Sequence, residues 1–317
     1  MLFAHAPLGA ALTRLPHTDP LERALWVDLY KPMPEQLARA NALGVEVPTL
    51  ADMEEIELSN RLYRENGVDY LTVVLPGQTE TEERVSAPVC FILTPSHLIT
   101  VRHHRPRPFE TYPTRADKVG PGCGDPKRLF LSLVEEIIGR LADLLEASGR
   151  QLDRIGARVF DLAGADRDLA QALRDVSHEA DQVAKVRLSL LTLERAVSYF
   201  AQALPDGSEA LRGMVKGLMR DIQALEVHGD FLTNRIAMTS DLALGMISVE
   251  QNTATKILSV VAVIFLPPTL IASIYGMNFR FMPELDKPWG YPMALALMLS
   301  SVIAPFVYFR RKGWLKK

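Results

Sequence analysis

The sequence predicts an α+β domain followed by a long helix and two membrane-spanning helices. Three observations carry that prediction. Charge is unevenly spread over the 317 residues: residues 257–279 and 288–309 hold no charged side chain, whereas the chain before them is charge-rich. β-Rich segments are confined to about the first 120 residues, with helical apolar spacing beyond them. From Ser208 onward no strong helix breaker occurs until Pro267.

Composition narrows the function classes. The formal charge is −3 and the tail Arg310, Arg311, Lys312, Lys316, Lys317 carries five positive charges, which leaves −8 on the residues before it. An acidic body argues against nucleic acid, which needs clustered Lys and Arg, and suits a protein that handles cations. The two cysteines, Cys90 and Cys123, form no CxxC pair, so neither a disulfide framework nor a zinc finger is expected. That usage fits a reducing compartment. Arg14, Asp19, Glu22 and Arg23 interrupt any apolar leader, and no cleaved signal peptide is expected.

In chain order, residues 1–120 read as the α+β domain. Residues 24–29 form a strand-like run stopped by Pro32 and Pro34. Residues 34–43 predict a short helix with Pro in its first turn. Thr49 with Asp52 three positions on resembles a capping box. Residues 69–75 and 89–102 read as strands, the second folded into a hairpin at Thr94-Pro95-Ser96-His97. His103 and His104 fall next to each other on that strand, point to opposite faces and make a poor chelate, so both are read as structural or surface histidines.

Residues 118–126, rich in Gly and Pro, read as a linker. A helical region over 121–207 follows, with apolar spacing of three and four across 127–162 and 166–204. Residues 208–256 predict a stalk helix. Leu211, Leu218, Leu225 and Leu232 recur every seven residues, with Val215, Ile222, Gly229 and Ile236 between them, a coiled-coil-like seam. The seam serves packing within the subunit, association with neighbouring copies, or both.

Residues 257–279 and 288–309 are each long enough to cross a bilayer core of about 30 Å. The loop 280–287 is too short for a domain, so the spans form a hairpin with both chain ends on one side. Lys256 and the basic tail 310–317 flank that side and mark it as cytoplasmic. The second span is apolar and reads as lipid-facing. The first carries Ser259, Pro267-Pro268, Thr269 and Ser273 and ends on Tyr275-Gly276-Met277-Asn278. Polar groups in a span face protein or water, so the first span is the candidate to line a pore, with the polar tetrapeptide at its outer mouth. Ser259 and Ser273 are expected to bond their own backbone. Thr269, beside a proline that frees a carbonyl, is assigned to the pore. Two helices cannot enclose a water path, so conduction requires a ring of copies.

Tyr275-Gly276-Met277-Asn278-Phe279, then Met282-Pro283-Glu284-Leu285, Gly290-Tyr291-Pro292 and Lys312-Gly313-Trp314-Leu315 resemble the CorA family of magnesium channels; Trp26-Val27-Asp28-Leu29 is similar to that family's first domain. The resemblance covers essentially the whole chain. It implies a homopentameric, funnel-shaped channel in a bacterial inner membrane, importing Mg2+ and also Co2+ and Ni2+, with no resident cofactor beyond transported and regulatory Mg2+. It implies that Gly276, Met277 and Asn278 form the outer selectivity filter, with Tyr275 lining the pore. Counting back without gaps, it places Asn252, Thr255, Leu258, Leu266 and Thr269 on the pore lining and Asp241 at its cytoplasmic end. Intracellular Mg2+ held by carboxylates between subunits is the implied gate. Asp52, Glu54, Glu55 and Glu57 are a candidate cluster for it, read more simply as a solvated helix face.

The physics of the ion agrees with the filter. Mg2+ sheds its octahedral water shell reluctantly. A ring of Asn278 amide oxygens and Gly276 carbonyls offers neutral acceptors to the hydration waters. Leu258 and Leu266, eight residues apart, suit hydrophobic constrictions. The sequence departs from the family at Arg280, where many members have a carboxylate. Pairing of Arg280 with Glu284 or Asp286 is expected, with a weaker cation-focusing field at the mouth. Two alternatives remain: a ZntB-type zinc transporter of the same superfamily, and a two-span anchor carrying a cytoplasmic sensor. An enzyme is not expected, because no nucleophile set, phosphate loop or metal-ligand spacing is present.

Overall fold

The computed structural model describes all residues except 10, 56, 58–60, 119, 121, 161–168, 279, 281, 285 and 315–317. The ends expected for two helices, at 162 and 166, fall outside the described residues, as do Phe279, Leu285 and Leu315. The chain forms two compact units, Met1–Ser240 and Asp241–Lys317.

The first unit is built on one sheet of β1 (Leu2–Leu8), β2 (Ala11–Arg14), β3 (Trp26–Tyr30), β4 (Leu62–Glu65), β5 (Val68–Gln78), β6 (Arg84–Leu93) and β7 (Leu98–Arg102). Its order is β2-β1-β3-β7-β6-β5-β4. The central pair β3–β7 is parallel and the other pairings are antiparallel. The expected hairpin is β6–β7, closed by Thr94, whose hydroxyl accepts from the His97 amide at 2.8 Å. β1 and β2 precede residue 24, where the sequence pattern predicts no strand.

Alternation sends Val27 and Leu29 to one face of the sheet. There they meet Ala40 of α1 (Pro34–Asn41) and Met53 of α2 (Leu50–Glu54) in a core with Leu2, Ile92 and Val101. Trp26 and Asp28 face the other way. Trp26, Phe91, Phe109, Phe130 and Phe200 form a run of ring contacts linking the sheet to α3 (Pro108–Thr111), α4 (Pro126–Phe160) and α5 (Leu169–Gln202). Beneath them lies a buried polar network. Arg102 grips Asp28 with two nitrogens, at 3.1 and 2.8 Å; Thr100 Oγ1 donates to Asp28 at 2.8 Å and Trp26 Nε1 to Thr100 at 3.0 Å. Such a pair is tolerable in a core because its remaining donors and acceptors are satisfied as well.

Helix α6 (Glu209–Tyr275) begins in the first unit and ends in the second. In the first unit its heptad positions Val215, Leu218, Ile222 and Leu232 are buried against the unit's own helices. A Cβ on Gly149 of α4 would sit 3.6 Å from Leu232. Arg187 of α5 pairs with Asp230 at 2.7 Å, and Asp153 of α4 pairs with Arg235. These seam positions therefore serve packing within the chain, while Leu211, Leu225 and Ile236 stay partly exposed. The second unit holds the remainder of α6 and α7 (Gly290–Arg311). Both α6 and α7 are long and apolar enough to cross a membrane.

Candidate ion pathway

The site residues lie on the part of α6 that belongs to the second unit. Asp241, Asn252, Thr255, Leu258, Leu266 and Thr269 fall within an arc of about 120° on a helix of 3.6 residues per turn. All six are exposed, Leu258 at 71% and Leu266 at 66%. On the opposite side Val260 is buried, and Ile264, Pro267, Pro268 and Ile271 are partly covered. Cover on the first span is thus confined to these few positions, and the candidate face is open. The open face is uncharged from residue 257 to the end of the helix.

The helix carries Pro267 and Pro268 without a break. Neither has an N–H, so the carbonyls of Val263 and Ile264 lose their intrahelical donors. Thr269 does not serve those carbonyls: its Oγ1 donates to Phe265 O at 2.6 Å. Thr255 and Ser259 do the same to Gln251 and Thr255, at 2.9 and 2.8 Å. Self-bonding, expected for Ser259, therefore extends to both threonines of the candidate face. Each hydroxyl keeps its lone pairs, which makes it an acceptor toward the exposed side.

Tyr275 ends the helix. The Gly276 amide donates to Ala272 O at 2.9 Å and the Met277 amide to Ile274 O at 3.3 Å, which tightens the last turn. A Cβ on Gly276 would lie 3.0 Å from Ala272 O, so close backbone approach, rather than a positive φ, is what glycine allows here. Gly276, Met277 and Asn278 are all exposed, and Tyr275 is half-buried.

The connection to α7 depends on a second glycine, which sequence reasoning noticed only as part of a motif. A Cβ on Gly290 would stand 2.1 Å from the Glu284 carbonyl oxygen. The Lys287 amide also donates to Glu284 O, at 3.4 Å, and the Gly290 amide to Lys287 O at 3.0 Å. Any side chain at 290 would push the Glu284 backbone away. The expected pairing of Arg280 is not formed: among the described residues no ion pair joins it to Glu284 or Asp286, and Arg280 and Asp286 are exposed. The turn at Gly290 fixes the Glu284 backbone without drawing its carboxylate toward residue 280.

The candidate regulatory carboxylates are elsewhere, in the first unit. Asp52 is engaged as a helix cap: Thr49 N and Oγ1 donate to it at 2.8 and 2.7 Å, and these bonds hold its carboxyl below the ordinary value. Glu54 and Glu57 are exposed. Among the described residues no group of three or more His, Cys, Asp or Glu is placed to hold a metal ion. His104 is buried beyond the end of β7, its Nε2 donating to Leu75 O at 2.8 Å.

Comparison with known proteins gives concordant matches. The model of a family described as "CorA-like Mg2+ transporter protein" matches residues 22–311. The magnesium transport protein CorA of Pasteurella multocida (strain Pm70) is 35% identical over 318 residues, covering 99% of this chain and 100% of that protein. Its counterpart in Escherichia coli (strain K12) is 33% identical over 320 residues, with 99% and 100% covered. Among solved structures, the complete CorA magnesium transporter from Methanocaldococcus jannaschii aligns with a TM-score of 0.77 at 20% identity over 99% of both chains. The full-length CmaX protein aligns with a TM-score of 0.67 at 17% identity, covering 99% of this chain and 98% of that one.

Proposed function

The chain belongs to the CorA-like Mg2+ transporter family, and on that premise we propose that it conducts hydrated Mg2+ through a pore lined by α6 of several copies. One observation carries the reading: an open, uncharged helix face ends on the exposed Gly276-Met277-Asn278 turn. Full-length similarity to proteins named as magnesium transport proteins supports the choice of ion.

In this reading five copies arrange the open faces around an axis, with residues 208–256 as the stalk. Asn278 amide oxygens and Gly276 carbonyls accept hydrogen bonds from the water shell, so the ion is recognised without full dehydration. Tyr275 and Met277 frame that level. Thr269, Thr255 and Asn252 offer acceptors along the path. Leu266 and Leu258 form two apolar rings that gate by wetting and drying. Asp241 gathers cations at the cytoplasmic end, and intracellular Mg2+ bound between subunits closes the pore. Co2+ and Ni2+, whose hydrates are similar in size, pass as well. Zn2+ gains no imidazole or thiolate ligand, because the sequence has neither His nor Cys after His228. Mg2+ is cargo and regulator, with no resident cofactor. The chain sits in the bacterial inner membrane with both termini cytoplasmic.

The test is cation uptake by proteoliposomes, with Mg2+, Co2+, Ni2+ and Zn2+ compared and the pH gradient varied independently. Uptake of Mg2+, Co2+ and Ni2+ above Zn2+, driven by membrane potential and indifferent to the pH gradient, is expected. Zn2+ preference, or uptake that follows the proton gradient, would overturn the reading.

A further inference from the structure

The first unit contains a cationic corner that the transport reading does not use. Arg84 opens β6, and its strand partner across β5 is Gln78. Gln78 in turn exchanges backbone hydrogen bonds with Arg105, at 3.2 and 2.9 Å, which brings the segment leading to Arg107 alongside. From α5, Gln182 Oε1 accepts from the Arg84 guanidinium at 2.9 Å, and His178 Nε2 lies 3.3 Å from it. Gln182 Nε2 then donates to Ser148 Oγ at 3.0 Å and Leu144 O at 3.4 Å on α4. Leu144 is one turn beyond Arg140. Glu136, one turn before Arg140, accepts from Thr111 of α3 at 2.8 Å, and Thr111 is one turn beyond Arg107. The circuit closes: three arginines from three elements, with His178 and Gln182 from a fourth, surround one corner.

Their charge is barely compensated. Among the described residues, the ion-pair partner of the three arginines is Asp143, at 3.9 Å from Arg140. Arg105 is already matched by Glu110 at 2.7 Å and is not counted. Burial, and then the charges of Arg107 and Arg84, push the Arg140 guanidinium below its ordinary value, against the pull of Asp143. Like charges gathered in a protein whose body is acidic are costly unless an anion completes them. Arg84 and Arg107 are exposed and Arg140 half-exposed, so an anion from solution can reach all three.

We propose that Arg84, Arg107 and Arg140, with His178 and Gln182, form a binding site for a phosphate-bearing anion of the di- or triphosphate class. Each guanidinium presents a planar fork that matches two phosphoryl oxygens. Three guanidiniums carry more positive charge than the roughly −2 of a monophosphate neutralises, which favours a polyphosphate over a monophosphate. Gln182, whose amide is engaged by Arg84, Ser148 and Leu144, holds the Arg84 fork in position rather than touching the anion. The site is independent of the pore and of the membrane orientation.

The experiment is calorimetric titration of the full-length protein in detergent with inorganic pyrophosphate. Divalent metals are removed, so that metal stripping cannot mimic binding, and ionic strength is matched with sodium chloride. Saturable binding, tighter for pyrophosphate than for inorganic phosphate, is expected. Arg84→Gln and Arg140→Gln should each weaken it about tenfold or more, as loss of a charge-assisted contact implies. Arg150→Gln, which removes an exposed helix ion pair elsewhere on α4, should leave it unchanged. The melting temperature of each variant checks folding, and Arg107→Gln, at an exposed position, replaces any variant that fails that check. Absence of binding above the sodium chloride control, or equal affinity in the Arg84 and Arg140 variants, overturns the proposal. So does equal weakening in Arg150→Gln. A changed oligomer mass in Arg84→Gln without pyrophosphate binding would assign the corner to a neighbouring subunit instead.

Discussion

Asn278 and Arg280 stand two positions apart, one offering a neutral acceptor and the other a positive charge. Arg280 is held by neither Glu284 nor Asp286 among the described residues, so its field is not cancelled locally. Replacing it by Glu should therefore raise Mg2+ uptake at low external concentration, with little effect at saturation and a loss of the gain at high salt. Unchanged low-concentration uptake would show that capture does not depend on this charge. Away from the pore, His104 illustrates a different cost. Its Nε2 donates to Leu75 O and its buried Nδ1 has no partner, so a second proton would be stranded. Burial lowers its pKa from 6.5 to about 4, with Arg102 and His103 adding to the effect and the Leu75 bond opposing it. The folded state thus binds fewer protons than the unfolded one as pH falls below 6.5. Stability should decline between pH 6.5 and about 4, by about 3 kcal/mol from this group. His104→Gln, which keeps a donor for Leu75 and titrates nowhere in that window, should flatten the dependence of melting temperature on pH. The sequence reading puts His104 on a strand as a structural or surface histidine; it lies just past the end of β7, and its burial comes from packing that pattern alone does not encode.

At the scale of elements, the spans, the Thr49–Asp52 capping box and the β6–β7 hairpin were legible because each is set by local chemistry. A run without charges, a side chain reaching three residues on, and a Pro-Ser turn need no distant partner. Strands β1 and β2 were not legible. Pro7 lies in β1 and Gly9 in the turn between them, and the two strands owe their state to pairing, β1 with β3 and β2 with β1. The parallel β3–β7 pair joins segments about seventy residues apart, a choice made by the sheet as a whole. The heptad seam on α6 shows a different limit. Its period was visible, but a period does not name its partner; here α4 approaches it at Leu232 and α5 at Gly229. In the proposed pore, the exposed face of the same helix is the one that lines the ion path. If Leu258 forms an apolar ring there, Leu258→Asn should hydrate it and raise Mg2+ leak several-fold when internal Mg2+ is high, measured as efflux from loaded liposomes. A leak no greater than wild type would place the gate elsewhere.

At the scale of the molecule, a single chain cannot enclose a water path, since its second unit offers only part of α6 and α7. The account therefore predicts a native mass of five 35.3 kDa chains in mild detergent. A monomer or dimer that still conducts in liposomes would contradict it. The architecture was readable from the sequence because membrane spans are governed by length and charge, and the terminal motifs then placed the chain in its family. The cationic corner formed by Arg84, Arg107 and Arg140 was not, because four elements distant in sequence build it. In the proposed pore the Gly276-Met277-Asn278 turn recognises hydrated Mg2+. The most direct measurement compares Mg2+ uptake by proteoliposomes holding equal amounts of wild-type and Asn278→Ala protein, both confirmed to share the same oligomeric mass. Loss of one amide acceptor per subunit should reduce uptake at least tenfold or so, a cost of about 1.4 kcal/mol or more in the ion's passage. Wild-type uptake in the Asn278→Ala protein would contradict the account.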